Sequence, residues 1–367
     1  MKKIITVLGT RPEIIKLSPL IPLLDKHFTQ ILVHTGQHYS YNMDELFFTE
    51  IKVRDPDYKL HIGSATPAAQ TGKIMVELEK VCVLEKPDLI LVHGDTNSTL
   101  AAALVAAKLH IPLAHTEAGY RSFNRKMPEE INRVVTDQLA QYLFAGTEEC
   151  VANLRCEGIA DENIFLVGNT AIDALRQNEL HSTDKILAKL GLEKKKYTFV
   201  TFHRAENTDD ITCLTNIASA LNTISVSIPL VLSLHPRTKQ ALAKHKITFS
   251  PTIQAIEPVG YLDCVSLMKS ALFIMTDSGG IQEEAVELNV PCLILRNETE
   301  ATELVKAGKN VLATTNYDQI VKLAINLIQN PAEIQNIKEK PFKGKKGVTQ
   351  KIAEILSKEL NSLVSQN

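Results

Sequence analysis

Carboxylates, histidines and arginines gather at the ends of apolar runs in this chain, in an arrangement suited to acid/base and anion-binding chemistry. The run DLILVH leads into Gly94 and Asp95, then into Thr96, Asn97, Ser98 and Thr99, small polar residues that suit the start of a helix. The next run, PLAHTEAG, carries Glu117 and continues into YRSFNRKMPEEINR, with Arg121, Arg125, Glu129, Glu130 and Arg133. A strand-end loop that carries both signs of charge is where proton transfer can be built. Further along, TFHRAEN sets His203, Arg204 and Glu206 after one apolar run, and SLHPRTK sets His235 and Arg237 after another. Titratable groups repeated at strand ends are candidates for a site rather than for packing. The stretch TDSGGIQEEA adds Ser278, Gly279 and Gly280 at the opening of a helix, where glycine admits close approach and unpaired N–H groups favour an anion. In GTRPEIIK, Gly9 gives a turn, Pro12 suits the first turn of a helix, and Arg11 is placed to reach a ligand.

These residues need a frame that brings strand ends together. Short apolar runs without alternation recur at IITVL, ILVH, DLILVHG, PLAHTEAG, YLFAG and NIFLVGN, separated by stretches with helical apolar spacing such as PEIIKLSPLIPLLDKH and NSTLAAALVAAKLH. Such runs predict a parallel sheet buried on both faces, and in parallel sheets ligands sit beyond the C-terminal strand edges. The pattern fades near RQNELHSTDKILAKLGLEKKK and restarts with YTFVTFH, PLVLSLHP, TIQAIEPV, ALFIMTD and VPCLILR, which predicts a second α/β domain. The boundary is expected at 168/169, giving 1–168 and 169–350, with an amphipathic final helix over about 351–367.

Length and charge agree with this division. At 367 residues the chain is long for one core and comfortable for two domains. Forty basic residues (Lys+Arg 40) against Asp+Glu 42 give a formal charge of −2, so nothing predicts general attraction to nucleic acid or acidic lipid, and a polyanion site has to be local. The six cysteines show no C-x-x-C pair and no histidine at zinc-ligand spacing, which reads as reduced core thiols and no metal site. No apolar stretch is long enough for a membrane span, and the N-terminal run reaches arginine and proline too soon for a leader; a cytoplasmic protein is expected. There is no G-x-G-x-x-G after the first strand and no G-x-x-x-x-G-K-[ST], so neither a nicotinamide cofactor nor a P-loop is supported.

Taken in order, GTRPEIIK, HTGQHY, VHGDTNSTL, EAGYRSFNRKMPEEINR, GNTAIDA, HRAEN and TDSGGIQEEA resemble the non-hydrolysing UDP-N-acetylglucosamine 2-epimerase family, with matches from residue 4 to about residue 300. The resemblance implies two Rossmann-like domains facing across a cleft (GT-B-like), with the C-terminal helix crossing back to the first domain. It implies reversible C2 epimerisation of UDP-GlcNAc to UDP-ManNAc by elimination of UDP and its re-addition to a 2-acetamidoglucal, with no cofactor, and commonly a homodimer. Asp95, Glu117 and Glu129 are then the acid/base candidates, their order on the two sugar faces left open, and His203 the group at the departing UDP. Arg11, His235, Ser278, Gly279 and Gly280 would meet the phosphates or sugar, and Glu284 the ribose. Gln37, His38 and Arg204 are possible contacts for an activating second nucleotide sugar.

Two blocks depart from the family pattern. TEATE puts Ala301 and Thr302 where the family commonly has arginine and proline in TERPE, and KPFKGKKG replaces an NPFGDG-like segment. Epimerases of modified UDP-N-acetyl sugars, hydrolysing epimerases that release ManNAc and UDP, and glycosyltransferases or nucleotide-sugar binders of the same fold are the alternatives.

Overall fold

The structure is a computed structural model that describes residues 1–37, 51–299, 301–341 and 346–362. The chain divides into two compact units, Met1–Gln177 with Lys345–Asn367, and Asn178–Gly344. In the first, β1 (Lys3–Leu8), β2 (Thr29–His34), β3 (Tyr58–Lys59), β4 (Leu89–His93), β5 (Leu113–Ala118), β6 (Tyr142–Ala145) and β7 (Ile164–Leu166) form one parallel sheet in the order β3-β2-β1-β4-β5-β6-β7. In the second, β8 (Thr198–Thr201), β9 (Leu230–Ser233), β10 (Ile253–Ile256), β11 (Ile274–Thr276), β12 (Cys292–Ile294) and β13 (Asn310–Leu312) form another, in the order β10-β9-β8-β11-β12-β13.

Both sheets are doubly wound. Each grows outward from its first strand and then reverses, so the order switches between β1 and β4 in one unit and between β8 and β11 in the other. A crevice opens where the connections leave to opposite faces. The central strands are apolar on both faces because helices cover both. Ile4, Ile5, Leu89, Ile90, Leu91 and Val92 are fully buried in the first sheet, and Phe199, Val200, Ile274 and Met275 in the second. The covering helices follow the 3.6-residue period: Tyr317–Gln329 presents Ile320, Ala324 and Leu327 to its core.

The final helix, Val348–Ser362, packs on the helix Ile21–His27 and so returns to the first unit. Its start is held by Asp173, which accepts from the backbone of Gly347 and Thr349 and from the Thr349 hydroxyl at 2.8–3.2 Å. Asp173 lies on the helix Thr170–Glu179, which belongs to the first unit as far as Gln177. Strands β3 and β13 were not read from the sequence; a two-residue edge strand and a strand buried only at Asn310 carry little apolar signal. The cysteines are all unpaired thiols, but only Cys82, Cys150 and Cys292 are buried, and Cys156 is exposed, which corrects the reading of all six as core residues. Among the described residues no helix is long and apolar enough to cross a membrane, and no group of three or more His, Cys, Asp or Glu side chains could hold a metal ion.

Candidate active site

At the β1/β4 switch point of the first unit lies a cleft of about 490 Å³ whose lining includes Glu13, Lys16, His93, Asp95, Glu117 and Glu129. The three expected acid/base carboxylates therefore share one cavity. Its back wall depends on an unusual helix. Pro128–Leu139 buries Glu130, Asn132, Thr136 and Asp137 rather than an apolar stripe, so its inward face is polar because it faces charges.

Glu117 is the most constrained of the three. It has φ +65°, a left-handed backbone rare for a residue with a side chain, and it sits where the β5/β6 register shifts between Thr116 and Ala118. Such a bulge re-aims a side chain at the cost of local strain, of order 1–3 kcal/mol. Lys16 Nζ donates to Oε1 at 2.6 Å, and His93 Nε2 lies 3.3 Å from Oε2. Burial alone would raise the Glu117 pKa, but Lys16 and His93 outweigh it and hold the carboxyl well below its ordinary range. His93 is itself 2% exposed and fixed from behind by Thr116 Oγ1, 2.8 Å from Nδ1.

Asp95 is pushed the other way. Burial raises its pKa, the ion pair with Arg133 Nη1 opposes the rise, and the neighbouring Glu117 charge adds to it. Glu129 lies on the first turn of the polar helix, exposed and lining the cleft, while its neighbour Glu130 turns inward. Glu130 accepts from the backbone of Ser122 and Phe123 and pairs with Arg133. Although burial opposes it, these donors bring its pKa to about 2. Glu130 is thus the residue that shapes the loop, and Glu129 the one offered to a ligand.

Two charged lining residues were passed over in the sequence. Glu13 is buried and accepts from Gly9 N, Thr10 N, Thr10 Oγ1 and Thr96 Oγ1 at 2.7–2.9 Å, closing a capping box and joining the β1 and β4 loops. Burial raises its pKa against those donors. Lys16 stood inside GTRPEIIK, and its only signal was its place on a helix that begins at Arg11. That arginine is the first residue of the helix and half-buried. Gln37 also lines the cleft, with Oε1 engaged by Ser98 N and Oγ at 2.9 and 2.7 Å, so its carbonyl end serves the start of the helix Asn97–Lys108. His38 lies outside the described residues.

In the second unit the switch point gathers His203, Arg204, Ser278, Gly279 and Gly280. Asp277, fully buried and not singled out in the sequence, organises them: its carboxylate accepts from His203 N, Arg204 N and Asn207 Nδ2 at 2.8–3.0 Å. The His203 and His235 rings stack with centroids 4.8 Å apart. Burial lowers the His203 pKa; Asp277 opposes this, while His235 and Arg204 add to it. His235 caps the helix Pro236–Lys244 through Nδ1, which accepts from Arg237 N at 3.2 Å. Ser278 is the N-cap of the helix Gly279–Glu287 but makes no side-chain cap bond. A methyl group at Gly280 would meet nothing within 4 Å, and one at Gly279 only Arg204 Nη2 at 3.8 Å, so the fold itself does not require glycine there. Open space in front of helix-start N–H groups is what an anion needs. Glu284, further along, accepts from Tyr261 Oη at 2.9 Å.

Two doubly wound Rossmann-like units, one with a carboxylate-lined crevice and one with an anion-ready helix start, define an α/β protein of the GT-B-like class. The UDP-N-acetylglucosamine 2-epimerase family model matches residues 23–357. A UDP-N-acetylglucosamine 2-epimerase of Methanocaldococcus jannaschii is 46% identical, over 97% of this chain and 99% of that protein. A crystal structure of that organism's UDP-GlcNAc 2-epimerase, in complex with UDP-GlcNAc and UDP, aligns with TM-score 0.84 over 97% of this chain and 99% of the other. A UDP-2,3-diacetamido-2,3-dideoxy-D-glucuronate 2-epimerase of Pseudomonas aeruginosa is 43% identical over 88% of this chain and 91% of its own length. The chain belongs to the UDP-N-acetylglucosamine 2-epimerase family, and as an epimerase it is an isomerase.

Proposed function

We propose that the protein interconverts UDP-GlcNAc and UDP-ManNAc without net hydrolysis, by anti-elimination of UDP and its re-addition to a 2-acetamidoglucal. The observation that carries this reading is three carboxylates lining one cleft, two of them with opposite biases: against burial, Lys16 and His93 lower the Glu117 pKa, and burial raises that of Asp95. An epimerisation at C2 needs a base on one face and a proton donor on the other, and groups whose environments drive their pKa values apart supply both. Glu117 is the base in this reading, Asp95 the acid, and Glu129 a further carboxylate at the sugar. In the elimination the C2–H electron pair forms the C1–C2 double bond as the C1–O bond breaks. Glu117 takes the proton and UDP leaves with the bonding pair.

The second unit's groups answer to the leaving group. His203, with its lowered pKa, gains a proton most readily when the diphosphate charge develops, and His235, Ser278, Gly279 and Gly280 supply charge or N–H donors, to which Arg11 of the first unit adds a cation. Glu284 would accept from the ribose hydroxyls. Proton NMR in D₂O with UDP-GlcNAc tests the whole reading: UDP-ManNAc carrying deuterium at C2 supports it. Free ManNAc with UDP would place the chain among hydrolysing epimerases, and absence of C2 exchange would defeat the proposal.

A second reading has its own support. The Pseudomonas aeruginosa relative acts on a diacetamido uronate by its name, and Ala301 here stands where the family commonly has arginine. Competing UDP-GlcNAc against that diacetamido uronate in one reaction decides between them by the ratio of kcat/KM.

A further inference from the structure

We infer that His115, fully buried and not part of the cleft lining, is a positioning residue that sets Asp95 and Glu117 together; this rests on the catalytic reading above. Its hydrogen bonds state its chemistry. Nε2 lies 2.7 Å from the Gly94 carbonyl oxygen, which only accepts, so Nε2 carries a proton. Nδ1 lies 2.6 Å from Asp137 Oδ1, also fully buried. The other oxygen of Asp137 takes Arg121 Nη2 at 2.7 Å and Gly119 N at 3.1 Å. Although burial opposes it, His115 and Arg121 hold the Asp137 pKa below its ordinary range. The ring is thus wedged between a peptide carbonyl and a carboxylate.

Through the ring and Asp137 two peptides are held that aim the catalytic candidates, the Gly94 carbonyl by His115 and the Gly119 N–H by Asp137. Gly94, at φ +66°, immediately precedes Asp95, and Gly119, at φ +84°, follows Glu117 by two residues. At Gly119 a Cβ would lie 2.4 Å from the Cys150 carbonyl oxygen, so that bend has no slack. Asp137 sits on the helix Pro128–Leu139, which also carries Glu129 and the Arg133 that pairs with Asp95. One ionic group thus fastens the β4 end, the β5 end and the polar helix. Arg121 continues the network to Glu157 through Nε and Nη2 at 2.7 and 2.6 Å. Buried ion pairs add little net stability over apolar packing, because desolvation offsets their attraction. A network this large is better understood as fixing geometry.

The test has two readouts that do not depend on each other. In the wild-type protein, ¹⁵N-histidine NMR, with His115 assigned by its loss in His115→Gln, is expected to show Nε2 protonated and hydrogen-bonded; a ring with Nε2 bare overturns the inference. In His115→Gln and Asp137→Asn, kcat for C2 exchange is expected to fall about 100-fold, the scale of a misplacement of about 1 Å, with KM changed far less and UDP affinity kept. The double variant should be no slower than the worse single one, since the residues act as a unit. Unchanged kcat in both variants, or parallel loss of kcat, UDP binding and thermal stability, also overturns it. If the wild type turns over no nucleotide sugar, the catalytic reading fails. Backbone amide shifts of Asp95 and Glu117 in Asp137→Asn then decide the positioning claim alone: no change at either sinks it.

Discussion

The two switch points are built on the same topology and finished in opposite ways. In the first unit the cleft groups are tied to one another: Glu117 to Lys16 and His93, Asp95 to Arg133, and Glu13 across two loops. In the second, the fixed partner is behind the site. Asp277 holds the His203 and Arg204 backbone from a buried position, while the His203 side chain is 37% exposed and His235 and the Gly279–Gly280 helix start face outward. The difference follows from what each has to do. Proton transfer needs charges whose ionisation is set before substrate arrives, whereas an anion site needs donors that nothing else has taken.

Replacing Glu117 breaks the first arrangement at its centre. Glu117→Gln keeps the shape and removes the base, so kcat for C2 proton exchange should drop by about 10²–10⁴. UDP affinity, measured by calorimetry, should stay at the wild-type value because, Arg11 apart, the anion donors belong to the second unit. A variant that loses UDP binding in step with activity would erase the contrast between the two sites.

The next largest effect lies on the open side. Gly280→Ala places a methyl where no atom lies within 4 Å, and it replaces glycine inside a helix. The helix should gain up to about 1 kcal/mol, raising Tm by roughly 2–4 °C for a unit of this size. The same methyl stands in the diphosphate's approach, and a weakened hydrogen bond to a charged group, worth about 1.5 kcal/mol, corresponds to roughly tenfold weaker UDP binding. Stability and binding moving in opposite directions is the signature. A rise in Tm with no loss of affinity would mean that the anion does not sit there.

How much of this contrast can be seen in the sequence depends on the range of the interaction. Strands buried on both faces announce themselves as unbroken apolar runs, and all but the short edge strands β3 and β13 were legible for that reason. Asp95, Glu117 and the Gly279–Gly280 turn could be singled out as candidates because they end or follow such runs. The groups that tune them could not. Lys16 lies far from Glu117 in the chain, as His115 does from Gly94 and Asp277 from His203. Only the sheet order brings them together. The polar inward face of Pro128–Leu139 was the one missed signal of short range: a helix burying Glu130, Asn132, Thr136 and Asp137 is laid over charge, not over a core.

A smaller effect tests the second site by pH. Burial lowers the His203 pKa, so the ring is neutral in the free protein near neutrality, and a diphosphate beside it favours the imidazolium. The bound form then has the higher pKa, so binding takes up a proton and UDP affinity should strengthen as pH falls from about 8 toward and below ~6.5, the ordinary imidazole value. The gain should amount to a few-fold and disappear in His203→Asn. Calorimetry in buffers of different ionisation enthalpy should show the uptake directly; release of a proton, or none, would remove His203 from the diphosphate.

The least effect is expected at the departure from the family pattern, and it separates the two substituted positions. Thr302 is the first residue of the helix Thr302–Lys306, a position where proline's missing N–H costs little and its fixed φ suits the helix. Thr302→Pro should therefore change stability and UDP affinity by less than about 0.5 kcal/mol, as surface substitutions ordinarily do. Ala301 is different. It is 8% exposed and packed in an apolar cluster with Val286 and Leu304, so an arginine there has to leave the cluster or bury a charge. A protein that tolerates Ala301→Arg as well as Thr302→Pro, and binds UDP more tightly for it, would show that the cluster yields to a cation at the nucleotide. Destabilisation by Ala301→Arg alone, with Thr302→Pro silent, would show that this chain has committed the position to packing and draws its phosphate-binding charge from elsewhere.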